Sequence, residues 1–280
     1  MPSRGALAKA GAPFNGSVTL FGVLPMRPLM VLCAAVAVAL PAAFPVAFPA
    51  RAQTLDPATE YAACMALAAD RPLEAFERAG TWLGLGGGLP AEHCRAAAMM
   101  ELGEEEAAAT ALEDLAQSSR TSAEIKVGLL RHAAEAWRRA DQDERAFGVI
   151  EAALRIAPAS PDALEDRAVL HADANRLWDA VDDLNAALDA EPARVSALVL
   201  RAAAYRRLET FDLAQADLER ARKIDPGAVE VFVERGALAL ATGRPDDARQ
   251  DWMQVLRAAP DSPAAQVARA NLERLDVSTQ

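Results

Sequence analysis

Few residues in this chain of 280 carry chemistry beyond plain acid–base charge. Its three cysteines are Cys33, Cys64 and Cys94, and His93 stands beside the last. Cys64, His93 and Cys94 together suggest a metal site, but no fourth ligand lies at metal-binding spacing. Gly84, Gly86, Gly87 and Gly88 have the density of a phosphate-cradling loop. No strand pattern precedes them and no lysine follows at phosphate-loop spacing, so they are expected to form a connection. No H-E-x-x-H or G-x-S-x-G arrangement occurs. Ser160 and Thr210 sit in turn-like stretches without a base, and Asp182-Asp183 and Glu104-Glu105-Glu106 read as solvated carboxylates. The expectation is a protein without catalytic residues, metal or cofactor, and not an enzyme.

The elements that position these residues are helical. Apolar residues make up 52% of the chain and aromatics only 5%, and alanine fills the difference. Alanine loses no side-chain entropy in a helix. No window alternates apolar and polar residues between turn signals, so no strand is expected. Residues 1–52 hold Arg4, Lys9, Arg27, Arg51 and no acid, which leaves 25 basic against 40 acidic residues in the remainder, a net charge of −15. So acidic a body excludes sequence-independent nucleic-acid binding, which needs a basic surface.

The N-terminus reads as an export signal. Met26-Arg27-Pro28 precedes an apolar run from Leu29 to Leu40, Pro41 breaks it, and Ala50-Arg51-Ala52 forms an A-x-A site. The run is shorter than the ~20 residues a membrane span needs, so the mature chain is expected to contain no integral span. Residues 1–52 are assigned as the signal peptide, with Met26 a possible true start, cleavage near Ala52, and a periplasmic or secreted product. Leu32 before Cys33 is too large for a lipoprotein site. Two cysteines remain after export, and an even count in an oxidising compartment reads as a Cys64–Cys94 disulfide. Two buried free thiols are the alternative.

Proline recurs at 158, 192, 226 and 260, always 34 residues apart, which frames units 127–160, 161–194, 195–228 and 229–262. The eighth position holds Ala134, Ala168, Ala202 and Gly236. The twentieth holds Ala146, Ala180, Ala214 and Ala248, and the twenty-seventh Ala153, Ala187, Ala221 and Val255. Bulky residues recur between them: Trp137, His171, Tyr205 and then Ala239 at the eleventh, and Ile150, Leu184, Leu218 and Trp252 at the twenty-fourth. Small against large is how paired helices interlock. Breakers at Asp141, Asn175-Arg176, Glu209-Thr210 and Gly243-Arg244-Pro245 mark a turn inside each unit.

In period and in its small, large and proline columns the chain resembles the tetratricopeptide repeat (TPR) family. The departures are Gly236 and Ala239. The resemblance implies an all-α, right-handed superhelical solenoid of helix–turn–helix units. Upstream, residues 53–126 read as two degenerate hairpin repeats, framed at 56–88 and 89–122. In these frames Cys64 and Cys94 lie on neighbouring first helices. Thr121 and Glu124 fit a capping box that opens the next helix early, and 263–280 supplies a capping helix and tail.

The resemblance also implies a concave groove lined by first helices. Carried onto this chain, its ligand-facing positions are Arg131, Glu135, Arg138 and Arg139, then Glu165, Val169 and Asp173, then Val199, Ala203, Arg206 and Arg207, then Val233 and Leu240. The lysine and asparagine of the carboxylate-clamp version are absent. The arginine pairs either face a partner protein or peptide with an acidic segment, or pair with acids on adjoining helices. The expected function is a protein-binding scaffold using this groove. The alternative is a structural subunit of an envelope assembly, using its convex face or self-association.

Overall fold

The computed structural model describes residues 56–118 and 121–278. Residues 1–52, read above as a signal peptide, and Cys33 within them lie outside the described residues. Thirteen α-helices and no strand occur among those described. The first four are α1 (Pro57–Asp70), α2 (Pro72–Gly84), α3 (Gly88–Glu101) and α4 (Glu105–Gln117). The 34-residue units then hold α5 (Ala123–Arg139) with α6 (Asp143–Ile156), α7 (Pro161–Asp173) with α8 (Leu177–Ala190), α9 (Val195–Arg207) with α10 (Phe211–Ile224), and α11 (Val229–Ala241) with α12 (Pro245–Ala258). The last helix is α13 (Pro263–Ser278). No helix among the described residues is long and apolar enough to cross a membrane.

The same local chemistry ends the first helix of each 34-residue unit. Asp141, Asn175, Glu209 and Gly243 take left-handed φ values of 55°, 57°, 58° and 74°. The next amide reaches back five residues to a carbonyl: Gln142 to Trp137, Arg176 to His171, Thr210 to Tyr205 and Arg244 to Ala239, at 2.8–2.9 Å. This is the Schellman closure, which satisfies otherwise orphaned helix carbonyls. Only the last unit places glycine at the left-handed position, and Glu209 in that conformation costs about 1 kcal/mol. Second helices end differently. Pro158, Pro192, Pro226 and Pro260 each stand two residues past the last helical residue, where a proline cannot extend the helix.

The start of α5 corrects one expectation. Ser122, not Thr121, is the cap, and its hydroxyl accepts from the Ile125 amide at 3.3 Å. The helix opens at Ala123, so Thr121 falls one residue too early, and its hydroxyl donates to the Leu115 carbonyl instead.

Packing follows the small columns. The alanines at the eighth, twentieth and twenty-seventh positions are buried, as is Val255. Successive first helices touch directly, α1 on α3, then α5, α7, α9, α11 and α13 in series, whereas second helices pack chiefly on the first helices flanking them. A stack whose first helices stand closer together than its second helices curves toward the first. Ala265, Ala268 and Leu275 of α13 close the core over α12, and Gln266, Arg269 and Glu273 face outward.

Candidate interaction groove

The first-helix row carries all the groove positions. Arg131, Glu135, Arg138 and Arg139 lie on α5, and Glu165, Val169 and Asp173 on α7. Val199, Ala203, Arg206 and Arg207 lie on α9, and Val233 and Leu240 on α11. The arginines are not unpaired cations awaiting a ligand. Arg139 Nη1 reaches back to Glu101 of α3 at 2.8 Å. Arg131 Nε reaches forward to Asp166 of α7 at 2.6 Å, and Arg138 Nη1 to Asp173 at 3.3 Å. Arg206 Nε bonds Glu234 of α11 at 2.5 Å, and Arg207 donates to the Asn175 side chain at 3.3 Å. Of the two readings left open, the second describes four of these five arginines, which pair between repeats with carboxylates of the same chain in a ladder, while Arg207 meets a neutral amide.

The ladder is partly buried, and its acids respond. Burial pushes Glu234 above the usual carboxylate range, against the pull of the Arg206 guanidinium. It raises Asp166 likewise, opposed by Arg131. Burial also disfavours the charge on Glu135, but hydrogen bonds from Arg138 and Arg139 prevail and hold it below the usual range. Sequence reasoning missed Arg194, just ahead of α9, whose Nε bonds Glu165 at 2.7 Å and whose guanidinium also grips Asp162 and Glu191. What the ladder leaves for contact is less polar: Val169, Val199, Ala203 and Val233 are half-buried, and Leu240 is exposed.

A second set of pairs lies inside the units. Arg167 bonds Asp183, Arg201 bonds Asp217, and Arg235 bonds Asp251, each joining the seventh position to the twenty-third. Asp183, expected to be solvated, is only 6% exposed, because its carboxylate points between helices at Arg167, with bonds of 2.9 and 2.6 Å. The 34-residue recurrence of arginine and aspartate was the available signal.

At the other end, Cys64 of α1 and Cys94 of α3, 30 positions apart in sequence, form a disulfide with Cα atoms 6.1 Å apart. In the chain-entropy picture such a loop contributes about 3–4 kcal/mol. Among the described residues no group of three or more potential metal ligands gathers beside the disulfide, around His93 or elsewhere. The Nδ1 of His93 hydrogen-bonds the Tyr61 hydroxyl at 2.7 Å and its Nε2 the His132 Nδ1 at 2.6 Å, tying α1, α3 and α5 together.

Burial, aided by His132, lowers the His93 pKa to about 4. The unfolded imidazole titrates near ~6.5, so between these values the unfolded chain binds more protons. The contribution of His93 is therefore fully present above pH ~6.5 and is lost as pH falls toward 4. Comparing urea unfolding of the protein with that of His93→Gln should show the difference in stability shrinking by about 2–3 kcal/mol from pH 7.5 to 4.5. A difference independent of pH would refute the assignment.

No family model and no curated protein matches the chain. Solved structures do. A chain of the APC/C hetero-tetramer Cut9–Hcn1 superposes with a TM-score of 0.58 at 16% identity, over 78% of this chain and 42% of that one. This chain thus spans less than half of that relative. MamA from Desulfovibrio magneticus gives 0.47 at 18% identity, over 60% and 93% of the two chains. A tetratricopeptide repeat protein from Parabacteroides merdae gives 0.46 at 18%, over 78% and 73%. At that identity the likeness to the Cut9–Hcn1 chain concerns the fold, and with the helix pairs, turns and columns above it establishes that the chain has the tetratricopeptide-repeat fold.

Proposed function

We propose that this protein is an exported scaffold that holds an extended or helical segment of another protein against its row of first helices, by binding and without turnover. The carrying observation is the state of the groove. Arg131, Arg138, Arg139 and Arg206 are consumed in inter-repeat pairs, which stiffen the curve and leave Val169, Val199, Ala203, Val233 and Leu240, with Arg207, as the accessible contact. An acidic segment would first have to displace an intrachain carboxylate from Arg138 or Arg206. A partner presenting apolar side chains needs no such exchange, and burial of apolar surface is the usual driving force of such docking. Export to the periplasm or the exterior is supported by the Cys64–Cys94 bond, since disulfides persist in oxidising compartments.

The test is photo-crosslinking in intact cells from Ala203 or Leu240, neither of which belongs to the ladder. The expected result is one partner protein captured at both positions and lost in Leu240→Arg, a variant that keeps its helicity and melting temperature. Capture only from Trp178, exposed on the second helix α8, would overturn the groove reading and favour an assembly part. Charge reversal at Arg206 is a poor test, because it would strand buried Glu234.

A further inference from the structure

The floor of the groove changes character along the stack. At the fifth, ninth and twelfth positions of the units, α5 holds Arg131, Glu135 and Arg138, whereas α11 holds Val233, Ala237 and Leu240. Between them α7 contributes Val169, and α9 contributes Val199 and Ala203. The apolar floor therefore lies on α7, α9 and α11. Its residues are half-buried, except Leu240, which is 42% exposed.

None of these apolar side chains can donate or accept a hydrogen bond. The polar groups among them are occupied: Glu165 accepts from Arg194 and Ser196, and Arg206 donates to Glu234. The backbone of each first helix is bonded within itself. An extended segment buried here would leave its own amides and carbonyls without partners, and each one left so costs free energy. An α-helix arrives with those groups already paired along its axis and docks through side chains alone. One charge remains free for such a partner. Arg207, next to Arg206 at the end of α9, is exposed and bonds only the Asn175 side-chain oxygen, at 3.3 Å. A carboxylate can reach it without displacing one of this chain's own.

We propose that the segment held in the groove is an amphipathic α-helix of another protein, with its apolar side on α7, α9 and α11 and a carboxylate at Arg207. Such a helix depends on the groove being the working surface, as proposed above. Packed helices stand about 8–10 Å apart, so the three first helices span about 20 Å between outer axes, which about 14 residues of helix cover.

The probes are two labelled, amidated peptides of about 16 residues, sharing one composition of leucine, alanine, glutamine and glutamate. In the first, leucines recur at i, i+3, i+4 and i+7 with a glutamate flanking them. In the second they alternate, as on a strand. Each is titrated against the mature chain by fluorescence anisotropy. The first should bind saturably and show helical nuclear Overhauser contacts when bound, and the second should bind at least about tenfold more weakly. A central proline in the first peptide should weaken it about a hundredfold. Leu240→Arg should abolish binding. Arg207→Ala should weaken it about tenfold, an effect absent once the peptide's glutamate is replaced by glutamine. Equal or tighter binding of the alternating peptide, still lost in Leu240→Arg, would overturn the helix and leave the groove standing. Binding of neither peptide, or binding indifferent to Leu240→Arg, would overturn both.

Discussion

Replacing Arg201 with alanine is expected to cost about 3–5 kcal/mol of stability, the usual result of stranding one member of a buried ion pair. Arg201 holds Asp217 through two bonds, Nε–Oδ2 at 2.7 Å and Nη2–Oδ1 at 2.6 Å, and its third nitrogen donates to Asn185 at 2.7 Å. Asp217 is 6% exposed, so removing the guanidinium leaves a carboxylate that water cannot replace. For a chain of this length the melting temperature should fall on the order of 10 °C. The pair itself need not be a net gain, because desolvating both ions offsets much of their attraction. The chain carries its own control: the first 34-residue unit has Ala133 and Val149 in these places, both buried. Arg201→Ala combined with Asp217→Val copies that arrangement and should recover most of the loss. Thermal and urea unfolding of the two variants decide the matter. A single substitution costing under about 1 kcal/mol, or a double no better than the single, would mean that the carboxylate finds water or another donor.

Gly236→Ala should also destabilise the protein, although alanine ordinarily stabilises a helix interior by about 1 kcal/mol relative to glycine. A Cβ at this position would stand 2.4 Å from Trp252 Nε1 and 2.8 Å from Cδ1 and Cε2. Those atoms belong to a rigid ring that is 1% exposed, so the helices must shift, at a net cost of about 1–3 kcal/mol. Trp252→Leu alone leaves part of the ring's volume empty, costing about 2–4 kcal/mol, below the range for truncation to alanine. Together they recreate the alanine–leucine pairing of Ala202 and Leu218, and the combined loss should fall at least 2 kcal/mol short of the sum. A double-mutant cycle with coupling near zero would show that the glycine and the indole do not depend on each other.

That pair bears on what was legible beforehand. Gly236 stood out as a departure from its column, whereas Trp252 read as one more bulky residue in its own. Their contact makes them one exchange of volume between facing helices. Ala239, the other departure, is 3% exposed and packs in the same buried cluster as Trp252. All three needed the spatial register of α11 on α12, which no single helix encodes.

The sequence by itself determined the repeat. Its prolines, left-handed turn positions and small columns each answer a requirement felt within one or two turns of backbone, and 34-residue recurrence makes such local requirements readable. The cysteine frames belong to the same class, since Cys64 and Cys94 inherit their proximity from the stacking of α1 on α3. Only the tertiary structure decided the charges. Arg139 meets Glu101 across 38 residues and Arg206 meets Glu234 across 28, while Arg207, beside Arg206 in sequence, meets an asparagine. A long charged side chain looks the same in sequence whether it faces a partner, the solvent or the next repeat. Its choice depends on how far apart two helices stand and which carboxylate its reach can satisfy there, and both are set by the assembled stack.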